Sequence, residues 1–97
     1  MHDSEFEWSD DKAATNLATH GVPFEHARLV FKDVGAVAEH DDRFDYGEDR
    51  FSIIGMVDGT LLNVAYTERG ERIRIIMARR ATRHEQDDYF EQNGRSS

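Results

Sequence analysis

"RFSIIGMVDGTLLNVAYTERGERIRIIMA", residues 50–78, reads as three consecutive strands. In its first part Phe51, Ile53, Gly55 and Val57 alternate with Arg50, Ser52, Ile54 and Met56, the two-residue period of a strand with one buried face. Asp58-Gly59 supplies the left-handed backbone that a two-residue hairpin requires. The return run "TLLNVAYT" then sets Phe51 opposite Tyr66 and Ile53 opposite Val64. "ERGE" is a second turn and "RIRIIMA" a third strand. Strict alternation puts Arg72, Arg74, Ile76 and Ala78 on one face of that strand. Ile73, Ile75 and Met77 fall on the other, which is expected to be core.

Outward from this unit the pattern becomes helical. Thr82-x-x-Glu85 is a capping box that opens a C-terminal helix, "RHEQDDYFEQ", ending near Asn93-Gly94. On the N-terminal side, Phe6-Glu7-Trp8 reads as a short strand, and Ser9 or Asp10 caps a first helix that stops at Gly21. Ala13, Ala14, Leu17 and Ala18 share one side of it, while Lys12, Asn16 and His20 form a polar stripe. Pro23 starts a second helix, "PFEHARLVF", with Phe24, Ala27, Val30 and Phe31 facing inward. "VGAVAEH" is a further strand, and residues 41–49 are an acidic connector. Helices in a run and strands in a run predict an α+β fold. Its antiparallel sheet carries two N-terminal helices and one C-terminal helix.

The chain has 97 residues and suits a single domain over 1–97, with 93–97 expected to be loose. It contains no cysteine, which excludes disulfides and thiolate chemistry. No apolar run approaches the roughly 20 residues that span a membrane, and "MHDSEFEW" lacks the features of a secretory signal. The expected location is the cytoplasm.

The formal charge is −8, yet residues 69–83 hold six of the ten arginines and one acid, Glu71. Overall acidity argues against nonspecific coating of nucleic acid, whereas a local cationic cluster can still face a phosphate within a screening length of about 8–10 Å. Guanidinium forks suit phosphate oxygens better than ammonium groups do. The cluster supports two readings: an anionic-ligand site, or a solvated face in which Arg72 and Arg74 pair with Glu48, Asp49 or Glu68.

"FEW" with Lys12 and Asn16, "HGVPFEHA" followed by "VFKD", "GEDR" at the start of a strand, and "RIIMARRAT" before "E…Y" together resemble the BrnT toxin family, in order and spacing from about Phe6 to Tyr89. The resemblance implies a toxin of a type II toxin–antitoxin module with a RelE-like fold. It further implies metal-free endonuclease action on RNA, with no cofactor. The implied partner is a BrnA-like ribbon-helix-helix antitoxin, through which alone operator DNA is reached. The sequence departs from the family at Ser9, where Asp is usual, at Thr19, where Lys is frequent, and at Met77, where a Ser is replaced.

Metal-free RNA cleavage needs a base for the ribose 2′-OH, cations on the phosphate and an acid for the leaving 5′ oxygen. Arg74 and Arg79 are the expected phosphate stabilisers, followed by Arg50, which resembles the Arg of the family's E-x-R segment. Lys12 adds charge from the first helix. His20 has the side chain suited to proton transfer near neutrality, although a helix C-terminus also favours an imidazolium there. Glu48 is a candidate base or an orienting group for Arg50. Arg72, Arg80 and Arg83 are expected to bind RNA. Tyr89 reads mainly as packing. The five histidines (His2, His20, His26, His40, His84) show no metal-ligand spacing, and the doublets Asp10-Asp11, Asp41-Asp42 and Asp87-Asp88 read as solvated surface. A non-enzymatic alternative uses the same arginine face only to grip a partner segment.

Overall fold

The Asp58-Gly59 hairpin has the expected register, with Phe51 beside Tyr66 and Ile53 beside Val64. Both turn residues have positive φ, 49° at Asp58 and 80° at Gly59, which matches the twist of the flanking strands. The computed structural model describes residues 5–42 and 47–94. Readings of His2, of the middle of the 41–49 connector and of the tail at 95–97 fall outside the described residues. The hairpin joins β3 (Arg50–Val57) to β4 (Thr60–Arg69), and the turn at Gly70 leads into β5 (Arg72–Arg80). β2 (Val37–Asp41) lies antiparallel on β3, and β1 (Phe6–Glu7) lies on β5. The sheet order is β1-β5-β4-β3-β2.

The sheet is mostly antiparallel, as expected, and is mixed at its β1 edge, where β1 runs parallel to β5 with Phe6 beside Ile73 and Glu7 beside Arg74. A two-residue strand carries no signal of its direction in the sequence.

Helix α1 (Asp10–His20) is capped by Ser9, whose hydroxyl accepts from the Lys12 N–H, and ends on the left-handed Gly21. After Pro23, α2 (Phe24–Ala27) tightens into a 3-10 turn over Arg28–Lys32. Phe24, Ala27 and Val30 are buried in the core with Ile53, Val64, Ile75 and Ala78. Gly55 allows this approach: a Cβ there would stand 3.0 Å from the Val30 carbonyl oxygen. Helix α3 (Arg83–Gln92) begins with the expected reciprocal Thr82–Glu85 cap. It packs on the opposite face of the sheet, where Leu61, Ala81 and Tyr89 form a second, smaller cluster. Asp33 ties α3 down. Its carboxylate accepts from the Tyr89 hydroxyl at 2.7 Å, the Met56 N–H at 2.7 Å and the Gly35 N–H at 2.9 Å.

Alternation fails midway along β5. The register steps from Ala65–Met77 to Tyr66–Ile75, so Ile76 is an extra, bulged residue. Ile73 and Ile75 face the core as expected, but the bulge flips the rest. Ala78 is fully buried, and Met77 takes the open face. The extra residue therefore leaves Arg72, Arg74 and Arg79 on one side of the sheet.

The buried residue of α1 is Asn16, only 5% exposed. Its amide donates to the carbonyls of Ala78 and Val22, each at 2.9 Å, and its oxygen accepts from the Ala78 N–H at 3.0 Å. Beyond the short β1, Asn16 thus acts as a one-residue neighbouring strand for the edge of β5. Asn16→Ala is expected to cost about 2–4 kcal/mol, since it strands a buried donor and two acceptors. Urea titration measures it; a loss below about 1 kcal/mol would mean that water replaces the amide.

Candidate functional site

Helix α3 covers the second face of the sheet only near the hairpin, and the remainder forms a cleft of about 370 Å³. Register places its floor. Met77 on β5, Ala65 on β4 and Ser52 on β3 stand side by side, with Glu39 of β2 beyond them. Arg79 and Asn63 form the next row towards α3. Arg74 and Thr67 form the row on the other side, and Arg72 lies beside Arg69 at the strand end. Arg50 lies on β3, about 10 Å across β4 from Arg74 at ordinary strand spacing. Of these arginines Arg79 lines the cleft, while Arg50, Arg72 and Arg74 lie on the same sheet face outside its lining, so the face is a shallow trough with its concave part at Arg79.

Each principal arginine meets a carboxylate. Arg74 donates to Glu7 at 2.8 Å, with the two side chains 27% and 23% exposed. That partner is on β1, and none of the three carboxylates expected from the sequence fills the role. Glu48 instead stands between Arg50 and Arg69, at 3.5 and 3.7 Å. Arg79 makes a forked pair with Glu85, at 2.8 and 3.0 Å. Glu85 also accepts from the Asn63 amide at 2.7 Å and the Thr82 N–H at 2.8 Å. One residue therefore caps α3 and fixes the plane of the Arg79 guanidinium. The cleft rim on the β2 side is acidic, with Glu39, Asp41 and Asp42.

The fork from Arg79 is the chief reason that the Glu85 carboxyl is held down, to about 2 from an ordinary 4.5, against the upward push of burial. The Thr82 N–H and the Asn63 amide add to the lowering. The folded value lies below the unfolded one, so this stabilisation is complete above about pH 4.5 and disappears as pH falls through about 2. Glu85→Gln is expected to cost about 1–2 kcal/mol at neutral pH, allowing for solvent screening. Denaturation curves of both forms should converge towards pH 2; a constant gap would assign the loss to the cap alone.

Lys12 and His20 do not line the cleft. With Thr15 and Thr19 they border a second cavity, of about 420 Å³, between α1 and the edge of β5, which also includes Asp11 and Asn16. Its floor is Ile76 and Met77, and Met77 is shared with the cleft. The two depressions meet across one side chain. Neither Glu7 nor Asp11 forms an ion pair with Lys12 among the described residues. Arg80, exposed at the end of β5, and Arg83, paired with Asp87 on the outside of α3 at 3.5 Å, lie outside both linings. Among the described residues no three His, Asp or Glu side chains converge as metal ligands.

Sequence reasoning missed Asn63 and Glu7, and it saw Glu85 only as a cap. The hairpin register carried a signal for Asn63, a polar residue within the apolar run at 61–66 of β4. Glu7 had none, because β1 had no assigned neighbour. A family model described as ribonuclease toxin, BrnT, of type II toxin-antitoxin system matches residues 8–85, which span both depressions. Among curated proteins, none matches the chain.

Proposed function

The chain belongs to the BrnT family of ribonuclease toxins of type II toxin–antitoxin systems, and on that premise we propose that it is a metal-independent endoribonuclease on a RelE-like scaffold. The observation that carries this reading is the bulge-directed placement of Arg72, Arg74 and Arg79 on one open sheet face, with Arg50 on the same sheet. In the proposed step the 2′ oxygen bonds to phosphorus as the P–O5′ bond breaks. The 2′ proton goes to a base, and a second proton reaches O5′. Arg74 and Arg79 hold the phosphoryl oxygens as negative charge grows on them, and Arg50 supports them, oriented by Glu48. His20 is the proton carrier and Lys12 the adjoining cation, acting from the neighbouring cavity across Met77. Arg72 extends the phosphate track, while Arg80 and Arg83 suit a flanking stretch of RNA.

Family membership implies an antitoxin partner. We assign that role to a BrnA-like ribbon-helix-helix protein, which covers the arginine face and reaches operator DNA on the toxin's behalf. The proposed location is the cytoplasm, where RNA and antitoxin are both present.

The test is expression of the free chain and incubation of the purified protein with RNA in excess chelator. Growth arrest and RNA breakage are expected, both suppressed by the antitoxin. The carboxylates already on Arg74, Arg79 and Arg50 favour one other reading, a non-enzymatic module that grips its partner through these arginines. It wins if RNA stays intact while Arg74→Ala collapses antitoxin affinity.

A short phosphate track sets the salt dependence. With three or four arginines engaged, log affinity for single-stranded RNA is expected to fall against log salt with a slope of about 2–3. Fluorescence anisotropy across a salt series measures it; a slope above about 5 would require a footprint that this trough does not offer.

A further inference from the structure

Helix α1 buries Asn16, packs Ala13 on the core and leaves both the rest of its polar stripe and Leu17 open to water. A surface helix normally buries its apolar stripe and shows its polar one to water. Here Lys12, Thr15, Thr19 and His20, at helical spacing, border the cavity against β5, while Leu17 is 50% exposed and Ala14 and Ala18 also face out. Asn16 pins this orientation, because its side chain is spent on the β5 edge. Thr15 and Thr19, both exposed, line a cavity of about 420 Å³, inside the size range of small-ligand sites, and suit an occupant with polar edges.

The floor adds the second half of the specification. Ile76 and Met77 give an apolar plate, and the bulge at Ile76 is what brings Met77 out of the core to form it. A planar ring with hydrogen-bonding edges suits such a site, with its face in apolar contact with the plate and its polar edges hydrogen-bonded, as the edges of single-stranded bases are read. Met77 is also shared with the trough that holds Arg79. An occupant of the cavity would therefore sit next to a phosphate held in the trough.

We infer that the cavity between α1 and the edge of β5 is a nucleobase subsite, seating the base of a nucleotide that adjoins the scissile phosphate. The base lies on Ile76 and Met77, Thr15 and Thr19 read its edge, and Lys12 faces the backbone. This rests on the nuclease reading for its neighbouring phosphate. The site makes base identity, through two hydroxyls, the source of any cut preference.

The methyl group of Met77 reports the occupant directly. The protein labelled at its methionine methyls is titrated with 2′-O-methyl homotrinucleotides of each base, which lack the attacking hydroxyl, and with the abasic trinucleotide of the same backbone. At least one base should move the Met77 resonance upfield by its ring current, with no such shift from the abasic chain. Thr15→Val/Thr19→Val should weaken that binding about tenfold, as two lost hydrogen bonds imply. An equal response to the abasic chain, a silent Met77, or undiminished affinity in the double variant would overturn the assignment. If Met77 stays silent while unmodified RNA is cut, only the subsite falls. If a base is seated but RNA is never cut, the subsite stands and the nuclease reading falls.

Discussion

Arg74→Ala is expected to lower RNA cleavage by about 10²–10³-fold, the usual effect of removing one donor that faces developing charge. The fold should survive the change. The Arg74–Glu7 pair is partly solvated, so its loss costs about 0–1 kcal/mol. Glu7→Gln separates the two roles of this arginine. It removes the same ion pair but leaves the guanidinium in place, so cleavage should persist or rise. Single-turnover rates for both variants provide the check. Equal loss in the two would make Arg74 a strut for β1 instead of a phosphate ligand.

The second large effect concerns stability. Asp33→Ala is expected to cost about 3–5 kcal/mol, because three hydrogen bonds to a charged acceptor vanish together and the Tyr89 hydroxyl is left without its partner. Burial pushes the Asp33 carboxyl up, but the hydrogen bonds from Met56, Tyr89 and Gly35 outweigh it and leave it below its ordinary 3.8. Its contribution is therefore present above about pH 4 and fades as acid is added. Tyr89 is pushed up to about 12, first by burial and then by the bond to Asp33, so its share is lost only as pH rises from 10 towards that value. Thermal melts of the wild type, Asp33→Ala and Tyr89→Phe measure the hub. A drop in Asp33→Ala no larger than that in Tyr89→Phe would show that the Met56 and Gly35 bonds add nothing.

Much of this architecture was legible before any coordinates. Asp58-Gly59 between two alternating runs specified a hairpin and its register, since only that turn chemistry matches the strand twist. Thr82 and Glu85 specified the start of α3 for an equally local reason. Prediction failed where a residue's neighbour is distant in the chain. The bulge at Ile76 depends on how β5 fits β4, and it exchanged the roles assigned to Met77 and Ala78. Asn16 read as one member of a polar stripe, because nothing local shows that the edge of β5 lies within reach of its amide. Asp33, within the "VFKD" segment, gave no local sign that it would bond to Tyr89, Met56 and Gly35.

The candidate site divides in the same way. Period two correctly put Arg72 and Arg74 together, and the bulge that broke the period added Arg79 to their face. The partners of these arginines were not predictable, because Glu7 arrives through a parallel strand and Glu85 through a helix on the far side of a turn. Those partners show how an acidic chain carries an arginine-rich face: the carboxylates hold the guanidinium groups in set orientations across an otherwise anionic body.

End-group analysis of cleaved RNA tests the central claim most directly. A defined transcript is incubated with the purified chain in excess chelator, alongside Arg74→Ala and Arg79→Lys. Attack by the 2′ oxygen predicts fragments ending in a 2′,3′-cyclic phosphate and starting with a 5′-hydroxyl, and the rate should collapse in both variants. Fragments carrying 5′-phosphates, or cleavage that is indifferent to both arginines, would contradict it.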